Sequence, residues 1–258
     1  MSKLKALILT SSGSRHRYFA KKVAEVFDVS EVISESKRNY YTKQREESSA
    51  IRSHFKAIGD AEVDFFGGVN DQQEPIRREG EDINSPECVA WAVDQKPDVI
   101  CLYGTAILRE GWLEAFPSRI VNLHLGLSPF YRGSATLFWP FYFKELQYLG
   151  TTIHLATATV DAGSVIARVD ADIRPGEDYY QITTRLIKDS IDRFPELVAG
   201  YLDGRIKAHA QEALASRVCK KADFSEEALL KVLSYVGKGL EAKEIAHIQE
   251  KKKCRYSQ

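Results

Sequence analysis

Hydrophobic positions along the chain fall into short blocks whose period changes from one block to the next. Leu4 to Thr10 (LKALILT) is a nearly continuous apolar run of strand length, and the SSGS turn after it leads into Arg15 to Phe27, with apolar residues at helical spacing at Phe19, Val23 and Phe27. Val29 to Ser34 reads as a second strand. A strand, helix, strand succession without hairpin signals predicts a parallel sheet with crossover helices.

The pattern continues along the chain. Lys37 to about Gly59 is charged and polar, with Tyr40, Tyr41, Ile51, Phe55 and Ile58 as its apolar anchors, and predicts a solvated helix or helix pair over the sheet. Gly67 to Asp82 is a loop, Ser85 and Pro86 open a helix running to about Asp94, and Asp98 to Tyr103 (DVICLY) is a buried strand entering Gly104. Val121 to Leu125 is a short strand bearing polar residues, and Ala135 to Leu146 an aromatic-rich helix. Thr151 to Thr157 and Ser164 to Val169 form a strand pair around the turn VDAG, followed by a long helix from Asp178 to about Leu202, bent at Pro195.

Beyond Gly204 a short extended stretch precedes a helix capped by Ser225, with apolar positions Leu229, Leu230, Leu233 and Val236. The final EKKKCRYSQ reads as a frayed, solvated tail. The expected fold is α/β, a Rossmann-like, mostly parallel sheet flanked by helices. A core domain spans 1–207 and a C-terminal extension 208–258, with the boundary near Arg205 to Ala210.

Composition narrows the function. The chain has 258 residues, enough for one large domain or a domain plus an appendage, and its 36 Lys and Arg balance 36 Asp and Glu. Zero net charge argues against a nucleic-acid partner, which draws on a basic excess. No span approaches the roughly 18 apolar residues of a membrane helix, and the start lacks a secretory cleavage pattern. The expectation is a soluble cytoplasmic protein with no membrane partner. Cys88, Cys101, Cys219 and Cys254 are scattered without metal-site spacing, so they read as reduced thiols, and no metal is expected.

The densest polar cluster is Asn122 and His124, followed by Gly126, Ser128, Pro129, Tyr131, Arg132 and Gly133. Residues two apart on a strand share a face, so the amide and the imidazole project side by side. They either satisfy each other or serve as an oxyanion donor and a proton-transfer group. Asp161, between two strands, either makes a local turn contact or returns to His124 and orients it.

The stretch from Val121 to Asp178 carries an N-x-H strand, an S-P-x-x-R-G loop, a G-x-T-x-H strand and D-x-G. These motifs, preceded by PDVICLYGTAIL, resemble the 10-formyltetrahydrofolate-dependent formyltransferases, strongly over about 98–205 and more loosely over the N-terminal strand, turn and helix. The resemblance implies that Asn122, His124 and Asp161 are catalytic. It implies 10-formyltetrahydrofolate as co-substrate, held by Tyr103, Gly104, Thr105, Ala106, Ile107, Leu108, Thr159 and Val160, with no metal required. Leu125 to Pro129 reads L-G-L-S-P where the purine-biosynthetic and initiator-tRNA branches carry S-L-L-P.

With the run G-S-R-H-R-Y-F near the start, the chain is most similar to enzymes that formylate nucleotide-activated amino sugars in bacterial surface-polysaccharide synthesis, such as that of lipopolysaccharide O-antigen. Ser12, Gly13, Ser14 and Arg15 at a helix start, with Tyr131, Arg132 and Gly133, are then the substrate contacts; Arg15, His16 and Arg17 also read as a solvated first turn. Phe65 and Phe66 are core residues or base-stacking aromatics, and Tyr40 and Tyr41 are further stacking candidates. The partner is a nucleotide-linked amino sugar and the assembly a homodimer. The alternatives are a glycinamide ribonucleotide formyltransferase-like enzyme, a formyltetrahydrofolate hydrolase and a non-catalytic binding module.

Overall fold

The computed structural model describes residues 3–35, 48–67, 75, 77–79 and 82–255. Nine strands are described: β1 Lys5–Ser11, β2 Asp28–Glu35, β3 Arg77–Glu79, β4 Val99–Leu102, β5 Ile120–His124, β6 Tyr131–Gly133, β7 Gly150–Leu155, β8 Val165–Asp170 and β9 Arg217–Cys219. Seven of these form one sheet in the order β3-β2-β1-β4-β5-β7-β8. Pairing is parallel from β3 through β5 and antiparallel from β5 to β7 and β7 to β8. The mostly parallel sheet expected from the alternation of blocks is therefore present.

Both sheet faces are covered, which explains the unbroken apolar run of β1. Ala6 and Ile8 join one core with Phe19 and Val23 of helix α1 (Ser14–Val26), Ile51 and Phe66 of α2 (Ser49–Phe66), and Ile187 and Phe194 of α6 (Tyr179–Leu202). Leu7 and Leu9 point the other way, into a core with Cys88 and Ala92 of α3 (Pro86–Gln95) and Trp112 of α4 (Glu110–Ala115). Ser85 caps α3 by accepting from the Cys88 N–H, with Pro86 in the first turn. Asp178 and Gln181 close a capping box on α6, which runs through Pro195. Among the described residues, no helix is long and apolar enough to cross a membrane.

Four expectations change. The stretch 135–146 is not one helix: only Trp139–Tyr142 (α5) is α-helical, with a 3-10 turn at Leu146–Tyr148. Ala135 and Lys144 have left-handed φ of 55° and 56°, and Pro140 sits inside the turn. The 67–82 segment is not all loop, because Arg77–Glu79 pairs with β2 as an edge strand. The described part of the 37–59 segment belongs to α2, which buries Ile51, His54 and Phe66; Tyr40 and Tyr41 lie outside the described residues.

The fourth concerns the C-terminus. Residues 242–254 form helix α8, and Ile245 and Ile248 share the core of the sheet. Arg255 donates to both carboxylate oxygens of Asp170 at 2.6 Å, and Lys252 donates to the Ala171 carbonyl, also at 2.6 Å. As far as Arg255, the last described residue, the tail is thus docked rather than frayed. On α7 (Glu226–Val236), Leu229, Val232 and Val236 are fully buried, but Leu230 is 52% exposed. Strand β9 pairs with β6, tying the segment after 208 to the loop that follows β5.

Candidate active site

The carboxyl ends of β4 and β5 open into a cleft of about 930 Å³, the position at which open α/β sheets bind ligands. Asn122 and His124 leave β5 on one side, as their two-residue spacing requires. Antiparallel pairing sets His154 of β7 directly opposite Asn122, and Thr152 opposite His124. Facing pairs place side chains together, so one register brings an amide and two imidazoles onto one floor.

The hydrogen bonds define the state of each group. His154 Nδ1 lies 2.9 Å from the Leu155 carbonyl, which can only accept, so Nδ1 carries the proton. Its Nε2 then accepts from Asn122 Nδ2 at 3.1 Å. His124 Nε2 lies 3.1 Å from the Tyr131 carbonyl, and its Nδ1 is 3.3 Å from Asp161 Oδ1. Both partners are acceptors, and only a protonated ring donates to both. Burial nevertheless pulls the His124 pKa below the ordinary histidine value, against the upward pulls of the Asp161 charge and the Tyr131 carbonyl. Opposed influences of this kind suit a group that must both take and give a proton.

Asp161 adopts a left-handed φ of 54°, which short polar side chains tolerate best. Its Oδ2 accepts from the Gly133 N–H at 3.0 Å, and its Oδ1 lies 3.7 Å from His154 Nε2. Burial pushes its pKa up, but the charge on His124 and the Gly133 N–H outweigh that and hold the carboxyl below the usual range. Gln211 fixes the surrounding loop by donating to the carbonyls of Asp161 at 2.7 Å and Gly163 at 3.0 Å.

The G-x-T-x-H alternation of β7 acquires a physical reason. At Gly150 a Cβ would stand 2.8 Å from the Val169 carbonyl and 2.9 Å from the Leu127 side chain. Thr152 donates to the Gly126 carbonyl at 2.7 Å and accepts from the Ser128 N–H at 2.8 Å, pinning the loop beyond His124. His154 completes the row. It stood in the sequence within a motif but without a role, and its two-residue spacing from Thr152 was the available signal.

Of the other expected positions, Tyr103, Gly104, Thr105, Ala106, Ile107, Leu108 and Val160 line the cleft, while Thr159 does not. The Thr159 carbonyl instead accepts from Thr157 Oγ1 at 2.9 Å. Arg15 and Gly133 line it too, but Ser12, Gly13, Ser14, Tyr131 and Arg132 are not among its walls. Tyr131 is buried and its hydroxyl donates to Glu145, which removes it from substrate contact. Arg132 donates to the Val160 carbonyl at 3.0 Å and so acts on the Asp161 loop. Phe66 is a core residue, 2% exposed, and Phe65 packs against that core.

Sequence reading missed one whole wall. His54, Phe55, Ile58 and Glu62 of α2 line the cleft together with Phe138, Tyr179, Lys221 and Phe224. Burial lowers the His54 pKa to about 4, so the ring is neutral, 3.0 Å from the Tyr180 hydroxyl. Among the described residues, no group of three or more His, Cys, Asp and Glu side chains could hold a metal ion.

Sequence comparison finds methionyl-tRNA formyltransferase of Trichlorobacter lovleyi, 30% identical over 131 residues, covering 50% of this chain and 41% of the relative. Phosphoribosylglycinamide formyltransferase of Escherichia coli is 29% identical over 118 residues, covering 45% of this chain and 55% of the relative. The chain thus spans about half the length of the curated relatives it matches. A sugar N-formyltransferase from a Shewanella species shares the fold at a TM-score of 0.59 and 14% identity, over 90% of this chain and 88% of that one. Residues 9–198, which hold the end of β1, the N-x-H strand, Asp161 and most of α6, match the formyl transferase family model, and the chain belongs to that family.

Proposed function

We propose that the protein transfers a formyl group from 10-formyltetrahydrofolate to the amine of a nucleotide-activated amino sugar. The observation that carries the reading is the convergence of Asn122, His124, His154 and Asp161 within 3.1–3.7 Å contacts on the floor of one cleft. The cleft suits a folate on one side. Leu102, Leu108, Leu113 and Ala156 form an apolar wall, and Ile107 and Val160 stand exposed at 68% and 41% beside it, as a planar ring would require.

The co-substrate supplies a formyl carbonyl for an amine to attack, and the rest falls to the chain. Asn122 has two amide N–H groups; His154 takes one, and the other serves an oxygen that gains negative charge. A single such donor is worth roughly 10²–10³ in rate. His124 accepts the proton that the amine must lose and returns one to the departing folate nitrogen, a contribution of about 10²–10⁴. Asp161, kept ionised by its neighbours, orients the His124 ring and stabilises its charged form.

Support for a large acceptor comes from the second wall of the cleft, built by α2 and residues 219–224 outside the floor itself. The Escherichia coli relative favours a second reading, in which glycinamide ribonucleotide is the acceptor. The test is formyl transfer from 10-formyltetrahydrofolate to a panel of UDP- and dTDP-linked amino sugars, with glycinamide ribonucleotide and no-acceptor arms. Turnover with an amino sugar alone supports the proposal; turnover with glycinamide ribonucleotide alone, or equal turnover without acceptor, overturns it. The same reading carries a homodimer working in the cytoplasm, and a sedimentation mass of one chain would remove the dimer.

A further inference from the structure

The end of β4 divides the cleft. Leu102 belongs to the core on the α3 and α4 face, and Tyr103 to the core on the α1 and α6 face, as successive positions of a strand must. The Tyr103 side chain therefore turns away from the wall that holds Leu108 and Leu113. Its ring packs 4.7 Å from His16 and 5.2 Å from Phe19, and it is 1% exposed. Its hydroxyl has no hydrogen-bond partner among the described residues. A buried hydroxyl without a partner calls for an explanation, and a hydroxyl of a bound ligand is one that the cleft can supply.

Arg15 and Glu62 are near enough to the hydroxyl to act on it electrostatically, and both line the cleft with Tyr103. They pair with each other at 3.0 Å, from the first turn of α1 to the fourth turn of α2. Burial raises the Tyr103 pKa to about 12, so the group is a hydrogen-bond donor at neutral pH. Around this polar trio stand His54, Phe55, Phe138 and Phe224, with the His54 and Phe224 rings stacked 5.8 Å apart.

We propose that Tyr103, Arg15 and Glu62 form a carbohydrate-hydroxyl subsite that recognises the sugar ring of the acceptor. A hydroxyl both donates and accepts, so one ring oxygen can give its proton to Glu62 and take a hydrogen bond from Tyr103 or Arg15. The Arg15–Glu62 pair sums to zero charge, which suits neutral hydroxyls better than a bare phosphate. The aromatic rings offer apolar faces to the C–H face of a sugar. The proposal rests on the formyl-transfer reading, and it moves Tyr103 from the folate side of the cleft to the acceptor side.

The experiment is steady-state kinetics of Tyr103→Phe and Glu62→Gln with the amino-sugar nucleotide that the wild type uses. The acceptor KM should rise tenfold or more in each variant, with the folate KM within twofold of wild type. Tyr103→Phe removes an unsatisfied hydroxyl and should melt no lower than wild type, a combination that a purely structural tyrosine would not give. A change in the folate KM alone, or no change in either, overturns the assignment. Should the wild type use glycinamide ribonucleotide and no amino sugar, the sugar reading fails separately. The same two variants are then measured with that acceptor: a raised acceptor KM upholds the hydroxyl subsite, and an unchanged one removes it.

Discussion

His154 Nε2 accepts from Asn122 Nδ2 at 3.1 Å across the β5–β7 pairing, and the Leu155 carbonyl fixes the tautomer that makes this possible. The contact decides which way the Asn122 amide points. An amide free to flip would present its carbonyl to the developing charge half the time, and a small misplacement of a catalytic group can cost about 10²-fold. His154→Ala should therefore lower kcat by about 10–100-fold while leaving acceptor KM within a few-fold. An equal rise in KM with kcat intact would show that His154 binds substrate instead.

Gly126 stands where no side chain fits. A Cβ there would lie 2.3 Å from His124 Nε2, 2.7 Å from the Tyr131 carbonyl and 2.8 Å from Thr136 Cβ. Two of these neighbours are the His124 ring and a backbone oxygen that it contacts, so relief requires moving one or the other. Overpacking of this kind costs typically about 1–3 kcal/mol. Gly126→Ala should lower the melting temperature and remove most of the activity, even at temperatures where circular dichroism shows the chain folded. Wild-type turnover in the variant would mean that the His124–Tyr131 contact is dispensable.

The sheet and the Asn122–His124 floor of the cleft are legible in the sequence for a common reason: each is set by a two-residue period. LKALILT and DVICLY read as strands because both of their faces are buried, and Asn122 and His124 read as partners because they are two apart. His154 was equally legible in spacing, but its partner lies 32 residues away on another strand, and register is a property of the fold. The α2 wall was obscured by its composition. Ile51, His54, Phe55, Ile58 and Glu62 keep helical spacing on one face, yet the charges between them made the segment look solvated. At 135–146 the aromatic density that suggested a helix instead fills the core around Tyr179, and Pro140 with two left-handed residues breaks the backbone.

Asp161 is the charge that opposes the burial of His124. Removing it takes away the largest upward pull on the His124 pKa, which must then fall further. Asparagine tolerates the left-handed φ and can still accept from the Gly133 N–H, so Asp161→Asn tests charge rather than shape. The acid limb of the kcat/KM profile should move to lower pH, and the plateau should drop by about 10²–10⁴. A limb that stays in place would assign that ionisation to another group.

His54 makes the stability of the fold depend on pH through the wall of the cleft. Burial holds its pKa at about 4 in the folded chain against 6.5 for an ordinary histidine. Between those values the unfolded chain binds a proton that the folded chain does not, so stability is complete above about pH 6.5 and is lost as pH falls toward 4. The full loss is about 3 kcal/mol, and about 2 kcal/mol of it is gone by pH 5. Tyr180, whose own pKa burial raises to about 12, stays protonated across this range and can donate to the neutral ring throughout. Urea unfolding at pH 7 and pH 5 separates this from other titrations, because those cancel between wild type and His54→Gln. The wild type should lose about 2 kcal/mol more than the variant over that interval. Parallel losses would mean that His54 charges in the folded state without penalty, and that the wall of the cleft admits water where the structure packs rings.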